Sequence, residues 1–216
     1  MRVWLIIGAA LTASVAGVGF LSANGVYVFL SDTMRPSYEQ GQQVSVDKFA
    51  YGITAQGLAF NLGSILGDRR QPLWARAQPQ RGDVVVYTYR STIGRTVTKL
   101  GRVVAIAGDR IEMVDGRLIL DGVAVPTRSL GGETYTPYHF PRPVTAERLE
   151  ESLPGAEPYS VYDSRPHSLV DQYGPTTVPS GHVFILGDNR DESVDSRVRG
   201  GPGMVPLGYV IGRVRQ

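Results

Sequence analysis

The sequence predicts a mainly β domain behind one apolar N-terminal segment, and three observations predict it. Glycine (26) and proline (14) are abundant while only 19% of residues are charged, a mix that suits strands and turns better than a helical bundle. Runs rich in β-branched residues recur without helix caps. Within one short stretch, Asp115-Gly116 and Asp121-Gly122 separate apolar segments, and Asp-Gly favours the tight turn of a β-hairpin.

The elements follow in chain order. Val3–Leu21 carries no charge and is about long enough to span a bilayer as a helix, so residues 3–21 are read as a transmembrane anchor. The competing reading is a removable signal peptide, with Leu21-Ser22-Ala23 as its cleavage site. Arg2 is the only flanking charge on the N-terminal side and favours a cytoplasmic N-terminus. The expected location is therefore the cell (inner) membrane, single-pass, with residues 28–216 on the extracytoplasmic side. Strands are predicted at Gln43–Val46, Asp83–Tyr87 and Thr96–Ile106, then at the hairpins of Arg110–Val125, and finally at His182–Leu186 and Tyr209–Val214. Gly131–Ser180, rich in proline, tyrosine and charge, reads as a small insertion (about 131–180). A short helix is expected around Thr145–Ser152, with Thr145 as N-cap and Glu147 in the first turn.

Composition excludes several functions. A net charge of +2 without a basic stripe gives no case for nucleic acid. Without cysteine there is neither a disulfide nor a thiolate metal site. His139, His167 and His182 lack metal-ligand spacing, so no metal or cofactor is expected. Of 22 basic residues only Lys48 and Lys99 are lysine. Arginine is not deprotonated in proteins whereas a buried lysine can act as a base, so lysine chemistry would have to use one of these two.

Four boxes then appear in order, the first of them in two parts. Ser31-Asp-Thr-Met-Arg-Pro-Ser37 precedes Gly41-Gln-Gln-Val-Ser-Val-Asp-Lys-Phe-Ala-Tyr-Gly52. Arg81-Gly-Asp-Val-Val-Val-Tyr87 follows, then Thr98-Lys-Leu-Gly-Arg-Val-Val-Ala-Ile-Ala-Gly-Asp109. The last is Gly187-Asp-Asn-Arg-Asp-Glu-Ser-Val-Asp-Ser-Arg197. Together they resemble the bacterial type I signal peptidase family, membrane-anchored enzymes with a serine–lysine dyad. The resemblance implies a signal-peptidase-like β-sheet catalytic domain over 28–216. It also implies an endopeptidase in which a neutral lysine activates a hydroxyl. By resemblance the nucleophile is Thr33. The oxyanion is held by the Thr33 backbone N–H and the Ser31 hydroxyl. Arg102 with Asp188, and Asp195 with Arg197, correspond to supporting ion pairs, and Ser193 to a hydroxyl that orients the lysine.

The match breaks at two positions. Threonine stands where the family has serine, and its methyl stiffens χ1 and crowds the path of attack. The family's lysine immediately precedes the arginine, and that position is Gly101 here. Lys99 lies on the same face of the strand, roughly 7 Å away along it, and a flexible side chain beside a glycine can lean toward the vacated space. The alternative is that Lys99 is an ordinary exposed strand residue.

Three functions compete. The first is an endopeptidase removing N-terminal signal peptides from exported preproteins, with Thr33 as nucleophile and Lys99 as base. It would select small residues through shallow pockets. The second is a catalytically impaired pseudopeptidase that binds signal peptides or a membrane partner. A single-substrate processing peptidase of the same family is a third. The expected partners are preprotein signal peptides and the lipid bilayer.

Overall fold

In the computed structural model, residues 24–58, 66–138, 140–165 and 167–215 are described. The expected anchor, 3–21, lies outside them, and no helix among the described residues is long and apolar enough to cross a membrane. Among the described residues, sixteen strands account for nearly all regular structure.

Seven strands form the main sheet. They are β1 (Asn24–Val28), β2 (Gln43–Asp47), β5 (Val84–Arg90), β6 (Thr96–Ile106), β14 (His182–Leu186), β15 (Val205–Pro206) and β16 (Val210–Val214), in the order β1-β2-β16-β5-β6-β14-β15. The centre of the sheet is buried on both faces, which explains the unbroken apolar run of β5. Val84 and Val86 join Met34, Val44, Val46 and Leu100 on one side, while Val85 and Tyr87 join Val103, Val183 and Ile185 on the other.

A second sheet has four strands, in the order β13 (Tyr173–Thr177), β7 (Arg110–Val114), β8 (Arg117–Leu120) and β9 (Val123–Ala124). Both Asp-Gly pairs make its hairpins. Asp115 and Gly116 have φ of 48° and 75°, and Asp121 and Gly122 have 53° and 81°, the left-handed pair that matches the twist of the flanking strands. Ile111, Met113, Leu118 and Leu120 of this sheet pack on Val104, Phe184 and Leu186 of the first, which fixes the two sheets together. A small two-stranded sheet pairs β3 (Gly52–Ile53) with β4 (Trp74–Ala75).

The third sheet corrects an expectation. Residues 145–152 are not a helix: β11 (Val144–Glu151) is the middle strand between β10 (Thr127–Tyr135) and β12 (Tyr159–Asp163). Thr145, read as an N-cap, instead faces Thr134 across the sheet with hydroxyls 3.0 Å apart. Two causes combine. Pro141 and Pro143 favour extended backbone in the residues just before them, and pairing on both edges overrides the weak helix preference of Glu-Arg-Leu-Glu.

Candidate active site

Ser31 to Tyr38 form a compact turn. Arg35 N–H donates to Asp32 O at 3.1 Å and Tyr38 N–H to Met34 O at 2.9 Å. Met34, 2% exposed, sinks into the apolar cluster under β2 and β5 and anchors the turn. Asp32, pointing the other way, accepts from Arg35 Nε at 2.8 Å and from the Tyr138 N–H at 2.7 Å. Ser31 and Thr33 remain half-buried between these anchors, with their hydroxyls 3.2 Å apart. A recess of about 10 Å³ opens beside them, bordered by Phe29, Tyr38, Val44 and Leu100.

The 187–197 segment lies against this turn. Asn189 N–H donates to Thr33 O at 3.1 Å, and Asn189 Nδ2 donates to Asp32 O at 3.1 Å. Gly187 is a point of close approach: a Cβ there would run into the Ser193 side chain and stand 2.6 Å from Thr33 O. The missing side chain thus leaves room for the Ser193 side chain and the Thr33 carbonyl to pack against this backbone. Asp188 forms a fork with Arg102, at 2.8 Å to Nε and 2.7 Å to Nη2, and the guanidinium lies 4.1 Å over the Tyr159 ring. Asp195 forms a second fork with Arg197, at 3.0 and 2.8 Å, and also accepts from Gly187 N–H at 3.2 Å. All four charged groups are buried, so each ion pair replaces the water its partners lost.

Lys99 reaches the same segment. Its ammonium donates to Val194 O at 2.7 Å, next to Ser193. Burial lowers its pKa below the usual lysine value, partly opposed by the charge of Asp195. Thr33 and Lys99 are not hydrogen-bonded to one another in this arrangement; the Thr33 hydroxyl is paired with Ser31. The space at Gly101 itself is filled. A Cβ on Gly101 would stand 2.5 Å from Ile185 Cγ2 and 3.2 Å from Tyr87 Cε1.

Sequence reasoning gave no role to three residues that shape the site. Asn189 lies inside the last box but its amide contacts were not foreseen. Tyr135 lies in the region read as an insertion, yet its hydroxyl meets Asn189 Nδ2 at 2.8 Å. Glu151 holds Arg190 through both carboxylate oxygens. These partners are far apart in sequence, and no local pattern announces them.

The family model described as signal peptidase, peptidase S26, matches residues 1–216. Signal peptidase I of Pseudomonas fluorescens is 34% identical over 193 residues, covering 85% of this chain and 60% of that protein. Signal peptidase I of Pseudomonas aeruginosa is 30% identical over 191 residues, with the same coverage of 85% and 60%. The chain therefore spans about 60% of the length of these relatives. A solved signal peptidase I from Enterococcus faecalis is similar to 64% of this chain, at 24% identity and a TM-score of 0.35. With the family model matched from end to end, this chain belongs to the signal peptidase family, peptidase S26.

Proposed function

We propose that this protein is a signal peptidase I-like endopeptidase that removes N-terminal signal peptides from exported preproteins at the extracytoplasmic surface of the cell membrane. The observation that carries the reading is that the 187–197 segment touches both the Thr33 turn and Lys99: Asn189 N–H donates to Thr33 O, and the Lys99 ammonium donates to Val194 O. Thr33 is the nucleophile and Lys99 the base. For the reaction, the Lys99 amine gives up its proton, which its lowered pKa assists, and leaves Val194 O for the Thr33 hydroxyl. It takes the hydroxyl proton as Oγ1 attacks the scissile carbonyl, then passes that proton to the departing amine; water, deprotonated by the same amine, then cleaves the Thr33 ester, releasing the signal peptide and restoring the hydroxyl. The Ser31 hydroxyl, 3.2 Å from Thr33 Oγ1, is placed to donate to the oxyanion together with the Thr33 N–H. Arg102, Asp188, Asp195 and Arg197 hold the frame, and Ser193 immediately precedes Val194, whose carbonyl accepts from the lysine. The narrow recess beside Thr33 supports selection for small side chains.

A second reading, a pseudopeptidase that binds signal peptides or a membrane partner without cutting, is favoured by the Lys99–Val194 contact and by the filled space at Gly101. Cleavage of a model preprotein in detergent micelles separates the two. The natural chain should cut after a small residue, Lys99→Ala should not, and Thr33→Ser, which removes only the methyl, should cut faster. Equal cleavage by the natural chain and Lys99→Ala rejects Lys99 as the base. Binding without cleavage by the natural chain establishes the pseudopeptidase.

A further inference from the structure

Asn189 is fully buried, and both hydrogens of its side-chain amide are used. One goes to Asp32 O at 3.1 Å and the other to the Tyr135 hydroxyl at 2.8 Å. These two acceptors fix the orientation of the amide, since turning it over would set its carbonyl oxygen against the carbonyl of Asp32. Among the described residues Asn189 Oδ1 has no partner, so no acceptor bond holds the amide in place. Its backbone N–H meanwhile donates to Thr33 O. Asn189 therefore grips the peptide on either side of the reacting residue, and Tyr135 sets the angle of that grip.

Tyr135 is itself held firmly. It is 8% exposed at the end of β10, its ring stacks on Tyr162 at 5.4 Å, and the Arg35 guanidinium lies 5.3 Å above it. Arg35 also binds Asp32, so the same tyrosine touches both holders of the turn. Tyr162 N–H donates to Asp188 O and its carbonyl accepts from Arg190 N–H, so β12 flanks Asn189 on both sides. The small sheet thus bears directly on the residue beneath the nucleophile.

We infer that Tyr135 is a positioning residue for Thr33, acting through the Asn189 amide; this rests on Thr33 being the nucleophile. Tyr135→Phe keeps both ring contacts and deletes only the hydroxyl that Asn189 needs. The control is Tyr162→Phe, which removes a hydroxyl from the same stack, one directed at Glu133 rather than at Asn189.

The test uses the full chain in detergent micelles. Tyr135→Phe should lower kcat about tenfold with KM unchanged, the size of one hydrogen bond's net contribution. Tyr162→Phe should leave both constants alone. Asn189→Ala should also lower kcat, and adding Tyr135→Phe to it should lower kcat no further, because the phenol then has nothing to orient. An unchanged kcat in Tyr135→Phe, or additive losses in the double variant, overturns the inference. If the natural chain cleaves nothing, the peptidase reading fails and a second measurement decides this one. With threonine methyls labelled with ¹³C, Tyr135→Phe should shift the Thr33 methyl resonance and Tyr162→Phe should not. A Thr33 resonance indifferent to Tyr135→Phe overturns the inference without any reference to catalysis, or to whether Asn189→Ala folds.

Discussion

Gly101 and Ile185 are packed so closely that a Cβ on the glycine would stand 2.5 Å from Ile185 Cγ2. Gly101, where the resemblance to the signal peptidases would put a lysine, is thus closed by the neighbouring strand, with Tyr87 Cε1 at 3.2 Å and Leu186 O at 3.3 Å completing the enclosure.

Restoring that lysine alone should therefore fail. Gly101→Lys is expected to lower stability by about 1–3 kcal/mol through overpacking and to leave cleavage no faster than in the natural chain. Adding Ile185→Ala should relieve the contact and recover part of the stability. Thermal unfolding of both variants checks the point; a Gly101→Lys protein as stable as the natural chain and more active contradicts it.

Lys99 gives a pH dependence. Its folded pKa lies below the unfolded value near 10.5, so between the two the unfolded chain binds more protons than the folded one. Stability should rise with pH through that window and be lost as pH falls through the folded pKa. Lys99→Met should flatten this slope, read by urea denaturation across alkaline pH. If Lys99 is the base, cleavage by the natural chain should also rise with pH up through the same lowered pKa.

Two arginine–glutamate pairs one strand position apart should behave very differently. Arg190 and Glu151 are buried, so Glu151→Ala strands a guanidinium away from water and should cost about 3–5 kcal/mol. Arg128 is exposed, and Arg128→Ala should change stability by less than about 1 kcal/mol although its bond to Glu150 is 2.8 Å. Chemical denaturation distinguishes them, and a small effect for Glu151→Ala would mean that Arg190 finds another partner or water.

Asp163 carries a third signal. Burial first, then the charges of Asp191 and Asp171, raise its pKa from 3.8 to about 6. The folded state here binds the extra proton, so stability should fall as pH climbs from 3.8 to about 6. Asp163→Asn should gain on the order of 1 kcal/mol at neutral pH, solvent screening included, and lose that advantage below pH ~4. Unfolding curves at the two pH values test the sign.

Much of this was legible in the sequence where local chemistry decides. Thr96–Ile106 forms one strand with those bounds, because its β-branched run has no competing helical period. The Asp-Gly pairs make hairpins because few other dipeptides accept two left-handed residues. Legibility stopped where a neighbour decides instead. Thr145–Ser152 has residues that suit a helix, and only the edges of β10 and β12 hold it extended. Gly101 reads as an opening for Lys99, and only Ile185, from a strand 84 positions later, shows it to be full. Ser31 and Thr33 were legible as a pair only through the family resemblance, whereas the Tyr135–Asn189 contact joins residues 54 positions apart and leaves no periodic trace.

The strand Val84–Tyr87 has a bearing on how this chain can vary. Its side chains alternate between two apolar clusters, and none of the four faces solvent. A single-residue deletion just before it would exchange the two sets, sending Tyr87 toward Leu100 and Met34 and a valine to the wall of Gly101. Lineages of this protein should accordingly gain and lose residues in the turns at 91–95 and 152–158, and hold the distance from Arg81 to Tyr87 fixed.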